Sequence, residues 1–273
     1  MVKALRISAS DVDAHKICPF RHHLSRVMRI QSVPGDAMLL GSATHQCLEW
    51  IGRFAIAKRP IISLPRLAEW AWDTVIGSRI PKTKRGNLQT AAYAKYLRNI
   101  DTVLNSSLCP LSLNILEIET KWELEMPKEI WGDVVFSGIF DLVHEIDKDT
   151  IEVVDWKTGK CRDFATMKDR DMYDLLKAVQ PRMYHMAATY LFPKYRNVMV
   201  TFYYIEDCGP MTIPLCEKDV PLTLAALWKF AQKLRAQDKP CRNQGFHCRM
   251  CGYSKNGTCD REWEKMNSQV EIA

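Results

Sequence analysis

The sequence predicts an α/β protein: a mixed sheet with helices packed outside it. Three observations carry that expectation. Residues 114–125 (NILEIETKWELE), 134–143 (VVFSGIFDLV) and 150–157 (TIEVVDWK) are rich in β-branched and aromatic residues and follow one another directly, as three strands would. A fourth such run, NVMVTFYYIE at 197–206, comes only after a helical stretch at 171–192. The resulting order of helix, three strands, helix, strand is that of a layered α/β core.

In chain order, residues 8–30 open on a Ser/Asp cap signal and read as a helix interrupted near Cys18-Pro19. The Gly41-Ser42 step opens a second helix that runs to about Ala57. Residues 64–105 are mostly helical and are broken by a basic Pro/Gly loop, RIPKTKRGN, at 79–87. After the fourth strand a helix covers about 221–237, and the tail from Cys241 is cysteine-rich and irregular. The chain reads as one domain over 1–273, with a helical insertion at about 60–110 and a cysteine-rich segment at 238–262.

Composition permits more than it selects. Hydrophobic residues make up 47% of the 273 and charged residues 26%, enough for an ordinary core. A net charge of +6 is compatible with nucleic acid without requiring it. The N-terminus, MVKALRISASDVDAHKICPF, has no apolar signal segment, and no run approaches the ~20 apolar residues of a membrane span. The expectation is a cytoplasmic protein with no membrane partner. Ten cysteines in a reducing compartment are then not a disulfide framework; some are small hydrophobes and some are candidate metal ligands.

The strongest chemical signal is Val153-Val154-Asp155-Trp156-Lys157-Thr158-Gly159. Residues i and i+2 of a strand share a face, so Asp155 and Lys157 point together while Trp156 packs behind. Asp141, in Gly138-Ile139-Phe140-Asp141 of the preceding strand, can bring a second carboxylate to the same place. Two carboxylates with water and phosphate oxygens suit Mg²⁺, which rarely takes an all-protein cage. Gly41-Ser42-Ala43-Thr44-His45 lies upstream, and Gln180 and Tyr184 share a helix face downstream. Alone, each of these is an ordinary surface pair or core histidine. The order GxxxH, GxxD, DxK, QxxxY on helix, strand, strand and helix is what distinguishes them. Glu49, one turn beyond His45, is a further candidate carboxylate or simply a solvated helix charge.

With these motifs the chain resembles the RecB-like exonuclease branch of the PD-(D/E)xK superfamily over most of its length, least at 60–110. The resemblance implies a restriction-endonuclease-like core and a Mg²⁺ or Mn²⁺ site built from His45, Asp141, Asp155 and the backbone carbonyl of Trp156. It also implies that Lys157 positions or activates the attacking water, with Gln180 and Tyr184 supporting the site and the DNA backbone. Pro181 suits a first helical turn and restricts the residue before it, which puts Gln180 at the cap.

Cys248-Arg249-Met250-Cys251, then Cys259, with Cys241 just before, is metal-type spacing. Cys241, Cys248, Cys251 and Cys259 make a local zinc site one option. The other replaces Cys241 by Cys18. Ser8-Ala9-Ser10-Asp11 … Cys18-Pro19-Phe20-Arg21 resembles the N-terminal segment of AddB-type helicase-nucleases and CRISPR-adaptation nucleases. In those proteins one early cysteine joins three late ones around a [4Fe–4S] cluster, and this is the favoured reading. Cys47, Cys109, Cys161, Cys208 and Cys216 lack such spacing.

Lys16, Arg21, His22, His23, Arg26 and Arg29 make the N-terminal segment basic, and Lys82, Lys84 and Arg85 crown the insertion. These can meet phosphates, although a solvated helix face is the default for such runs. Trp70, Trp72, Tyr93 and Tyr96 can stack bases, but at helical spacing they read first as core. The function expected is that of a DNA exonuclease acting on single strands or ends, in recombination, repair or replication, prokaryotic or phage-encoded, with a helicase or recombination partner. A structure-specific or restriction-type endonuclease is the rival, and a non-catalytic DNA-end-binding subunit is the rival of another class.

Overall fold

The computed structural model describes residues 4–32, 34–79, 91–163, 166–237 and 239–268, without the side chains of 77–79. The loop cations Lys82, Lys84 and Arg85 lie outside these residues.

The chain opens with β1 (Leu5–Ile7), α1 (Ala9–Ile17) and α2 (Pro19–Arg26). Ser8 caps α1 through a capping box with Asp11, as the Ser/Asp signal predicts. The break at Cys18-Pro19 is real: Pro19 takes the first position of α2, where its missing N–H costs nothing. Next come α3 (Asp36–Ile56), α4 (Leu64–Arg79) and α5 (Ala91–Leu104). α3 begins five residues before the predicted Gly41-Ser42 start. Gly41 lies inside it, and a Cβ there would stand 3.0 Å from Thr158 Oγ1. This glycine therefore marks close approach to the DxK strand rather than a helix start.

Four further strands follow: β2 (Asn114–Glu125), β3 (Val134–Asp147), β4 (Thr150–Lys157) and β5 (Asn197–Tyr204), with a short α6 (Lys128–Trp131) between β2 and β3. The predicted 171–192 helix is two, α7 (Met172–Lys177) and α8 (Val179–Leu191). Pro181 explains the break, since in a continuous helix its ring would meet the carbonyl of Lys177, four residues earlier. β6 (Gly209–Ile213) and α9 (Asp219–Arg235) complete the core. The tail, expected to be irregular, instead forms α10 (Gly252–Lys255) and α11 (Thr258–Ser268) after a 3₁₀ turn at Phe246–Arg249.

One mixed sheet of six strands organises the described residues. β3 is its spine. β2 pairs antiparallel along one side of β3; on the other side β1 pairs parallel with Val134–Phe136 and β4 antiparallel with Leu142–Asp147. β3 thus has a gap at 137–141 between those two neighbours. β4 and β5 are parallel and joined through α7 and α8, and β6 closes the edge. α3, α4 and α5 cover one face, burying Trp156, Val154 and Leu142; α8 and α9 cover the other, burying Phe136, Phe140 and Phe202.

The GxxD glycine has a packing reason. Gly138 faces Trp122 across β2–β3, and a Cβ at Gly138 would overlap the Trp122 indole. Trp122 is itself buried against Phe140 at 5.5 Å between ring centroids. Gly138→Ala is therefore expected to destabilise the fold by about 1–3 kcal/mol, as overpacking does. A lowered midpoint in urea denaturation checks this; an unchanged midpoint would mean that the indole moves freely.

Candidate metal centre and active site

The gap in β3 is where the sequence motifs meet. At the level of Asp141, β2 and β3 both change which face they bury. Ile118 and Leu142 pack with α3, whereas Trp122 and Phe140 pack with α8. Glu119, level with Asp141 on β2, takes φ +45, a left-handed conformation rare for a residue with a side chain. Its carboxylate turns to His45, with Oε1 2.9 Å from Nδ1. Strain of this kind is kept where surrounding structure fixes it, and it clusters at sites of function.

His45 stands on α3 against the end of β4. Its Nε2 is 2.9 Å from the Trp156 carbonyl oxygen, and its Nδ1 is 3.5 Å from Asp141 Oδ2. The same Asp141 oxygen accepts the Trp156 backbone N–H at 2.9 Å. Ligand atoms of His45, Glu119 and Asp141 all lie within 4.8 Å of one another. Glu119 is the site residue that sequence reading misses. In NILEIETKWELE it is one of several alternating glutamates that look like a single solvated edge, and nothing local announces the kink that turns it inward.

Asp155 is almost fully buried and lies a step further along the sheet. Its Oδ1 accepts from Gln180 Nε2 at 2.8 Å and from the Tyr184 hydroxyl at 3.1 Å. Its Oδ2 faces Lys157 Nζ at 2.5 Å without the angle of a hydrogen bond. Lys157 Nζ also donates to Gln180 Oε1 at 3.0 Å. Gln180 sits in the first turn of α8, not at its cap; Ala178 is the cap. From there one amide reaches both the acid and the lysine. The five motif residues His45, Asp141, Asp155, Lys157 and Trp156 thus gather at one sheet edge, with Gln180 and Tyr184 beneath Asp155. Glu49 does not join them: Gln46 and Arg53 engage it at 2.8 and 2.7 Å.

The electrostatics are those of a site short of positive charge. Burial alone would lower the His45 pKa, but Asp141 and Glu119 overcome this and raise it to about 9. Burial pushes Asp141 upward, and Asp155 and Glu119 push it further against the pull of His45 and Lys157. Burial and Asp155 likewise hold the Tyr184 hydroxyl protonated as a donor. Crowded this way, the Asp141 carboxyl keeps its proton unless a cation replaces it. A histidine nitrogen and two carboxylates at these spacings are a donor set that fits a divalent cation.

A cleft of about 1440 Å³ opens from this centre toward β1, α1 and α2, and its lining includes Arg6, Arg26, Arg29 and Lys121. Of the aromatic residues in the insertion, Trp72 packs at 5.2 Å from both Tyr93 and Tyr96 in the core, while Trp70 faces solvent.

The cysteines form a second cluster. Cys18, Cys248, Cys251 and Cys259 line one small pocket with Arg242 and His247. Cys241 does not line it; its thiol is exposed and turned to Asn243. The two chain ends are bound together here. Phe20 N–H donates to the Cys241 carbonyl at 3.0 Å, Asn243 Nδ2 to the Ile17 carbonyl at 3.1 Å, and the Tyr253 hydroxyl to the Ile30 carbonyl at 2.7 Å.

Comparison with known proteins agrees with this architecture. Among curated proteins, none matches the sequence. A solved structure of a candidate exonuclease from Eubacterium rectale superposes with a TM-score of 0.53 over 87% of this chain and 84% of that one, at 11% identity, a likeness of fold alone. A second, the crystal structure of SSO0001, covers 90% of this chain and 93% of its own at 15% identity, but its TM-score of 0.35 is too low to bear on the argument. The family model of the PD-(D/E)XK nuclease superfamily matches residues 6–256, from β1 to just past α10 and short of Cys259. That match takes in every motif residue of the sheet-edge site, and the chain belongs to the PD-(D/E)XK nuclease superfamily.

Proposed function

We propose that the protein is a divalent-metal-dependent DNA exonuclease, acting on single strands or ends and stapled by a [4Fe–4S] cluster. The observation that carries the nuclease reading is the convergence of ligand atoms of His45, Glu119 and Asp141 within 4.8 Å of one another, beside the Asp155–Lys157 pair. In this reading His45, Glu119, Asp141, Asp155 and the Trp156 carbonyl hold Mg²⁺ or Mn²⁺. A cation bound there supplies Lewis acidity toward a phosphoryl oxygen and lowers the pKa of a water. The protein does the rest. Lys157 presents an ammonium where the phosphorane-like transition state gains negative charge. Gln180 fixes Lys157 and Asp155 to each other through one amide. Tyr184 orients Asp155 from below, and the Trp156 indole seals the floor. RecB-like recombination or repair, with a helicase partner, is the cellular setting proposed.

The reading is tested with linear and circular single-stranded DNA in Mg²⁺ or Mn²⁺. Shortening of the linear strand alone is expected. Nicking of the circle would favour the endonuclease reading, and binding of ends without cleavage would favour an end-binding subunit.

Metal affinity should also depend on pH. His45 and Asp141, whose proton affinities the crowding raises, hold protons at neutral pH, and a cation must displace them. Raising the pH from 6 to 8 is expected to tighten Mn²⁺ binding by about tenfold per pH unit for each proton displaced. Titration calorimetry in buffers of different ionisation enthalpy counts those protons. A pH-independent affinity with no proton released would remove His45 and Asp141 from the ligand set.

The staple reading rests on the pocket shared by Cys18, Cys248, Cys251 and Cys259. Four thiolates drawn from both ends of the chain suit a cubane cluster.

A further inference from the structure

The cleft beyond the acidic centre carries more positive charge than its own carboxylates use. Asp11 is engaged by Arg26, Glu123 by Arg6, and Asp133 by Lys128 at 3.1 Å. Arg235 is spent on the Trp131 carbonyl. Two cations of the lining remain, Arg29 and Lys121. Both are exposed, and neither has an ion-pair or side-chain hydrogen-bond partner among the described residues.

Arg29 is also placed at a cost. It lies two residues past Val27, the C-cap of α2, with φ +55, the left-handed region that favours glycine. The backbone around it is pinned on both flanks: Ile30 N–H donates to the Leu24 carbonyl at 2.9 Å, and the Ile30 carbonyl accepts from the Tyr253 hydroxyl at 2.7 Å. A turn so well determined would be easier to make with glycine, and an arginine there needs a use for its side chain. Lys121 comes from the opposite wall. It lies on β2 two residues beyond Glu119, so the strand that turns a carboxylate into the centre also sets a cation beside it.

We infer that Arg29 and Lys121 bind two non-scissile phosphates of the substrate strand, one on each wall of the cleft that leads to the metal centre. The inference rests on the nuclease reading and names how that site holds its substrate. Such contacts are indifferent to base sequence and position the strand for cleavage. A flexible cation over open solvent suits a backbone phosphate, which supplies the charge that no carboxylate of the cleft provides.

The test is binding of a fluorescent single-stranded oligonucleotide in EDTA, across a range of salt, by the parent, Arg29→Gly, Lys121→Gln and the double variant. Each lost phosphate contact should reduce the slope of log K against log salt by about 0.7, and the double variant by about twice that. The loss should be the same for unrelated base sequences. Arg29→Gly separates contact from structure. It relieves the left-handed backbone, so its thermal midpoint should match or exceed that of the parent while its affinity falls. A variant set with the parent's slope, in a protein that binds and cleaves DNA, overturns the phosphate contacts and leaves the nuclease reading standing. A parent that binds DNA and never cleaves in Mg²⁺ or Mn²⁺ sinks the nuclease reading, while its slopes still decide for or against the two residues. A parent that binds no DNA overturns both.

Discussion

Asp155→Asn is expected to lower DNA cleavage by at least about two to three orders of magnitude, the cost of losing one preorganised electrostatic element of an active site. The substitution keeps shape, and the amide oxygen still accepts from Gln180 and Tyr184. It removes the charge that faces Lys157, and it sets an amide N–H toward an ammonium. Lys157 should therefore be displaced as well. This gives a sharper result than lost activity alone. Lys157→Ala should cost at least about two orders of magnitude in rate with little change in Mn²⁺ affinity. Asp155→Asn should lose both rate and metal affinity. The double variant should be scarcely worse than Asp155→Asn, because residues that act as one unit are not additive. Single-turnover cleavage and Mn²⁺ titration measure all three. Additive losses would mean that Asp155 and Lys157 act separately, and near-parental cleavage by Asp155→Asn would remove it from the site.

Much of this arrangement is legible in the sequence because each signal is local. The β2 and β4 boundaries follow from β-branched and aromatic runs, and the α1–α2 break from one proline. Asp155 and Lys157 share a face because strand period requires it. The parts that were not legible depend on contacts between distant segments. β1 is three residues long and is a strand only because β3 offers it an edge. β6 is short and contains Pro210, which demotes it by pattern; it forms as the outer arm of a hairpin with β5. The helices of the tail form around a cluster that includes Phe20 and Leu24 from the other end of the chain. Glu119 is hidden for a different reason. Its role depends on a single backbone dihedral that no residue type at that position advertises, since glycine or asparagine would be the usual mark of φ +45. Conversely, Gly41 advertises a helix start and instead serves close packing against Thr158.

Exchange of single cysteines separates the staple from a local zinc site, with opposite outcomes. If Cys18 is a ligand, Cys18→Ser should lose the iron-sulphur colour together with iron and acid-labile sulphide. Cys241→Ser should keep all three, since Cys241 is exposed and does not line the pocket. If the centre is local zinc, Cys241→Ser disrupts the tail and Cys18→Ser matters little. The stability cost should be large, because the ligands meet only through the fold. A cross-link over more than a hundred residues is worth on the order of 4–5 kcal/mol in loop entropy, or roughly 10 °C in Tm for a chain of this size. The loss should be felt first at α2, whose first turn packs on the tail through Phe20 and Trp263, 5.0 Å apart between ring centroids. The sheet-edge site contains no cysteine and should stay chemically complete, so Cys18→Ser protein kept folded at low temperature is expected to regain cleavage without a cluster. Complete inactivity of that folded, DNA-binding protein would mean that the cluster takes a direct part in the reaction rather than holding the chain ends together.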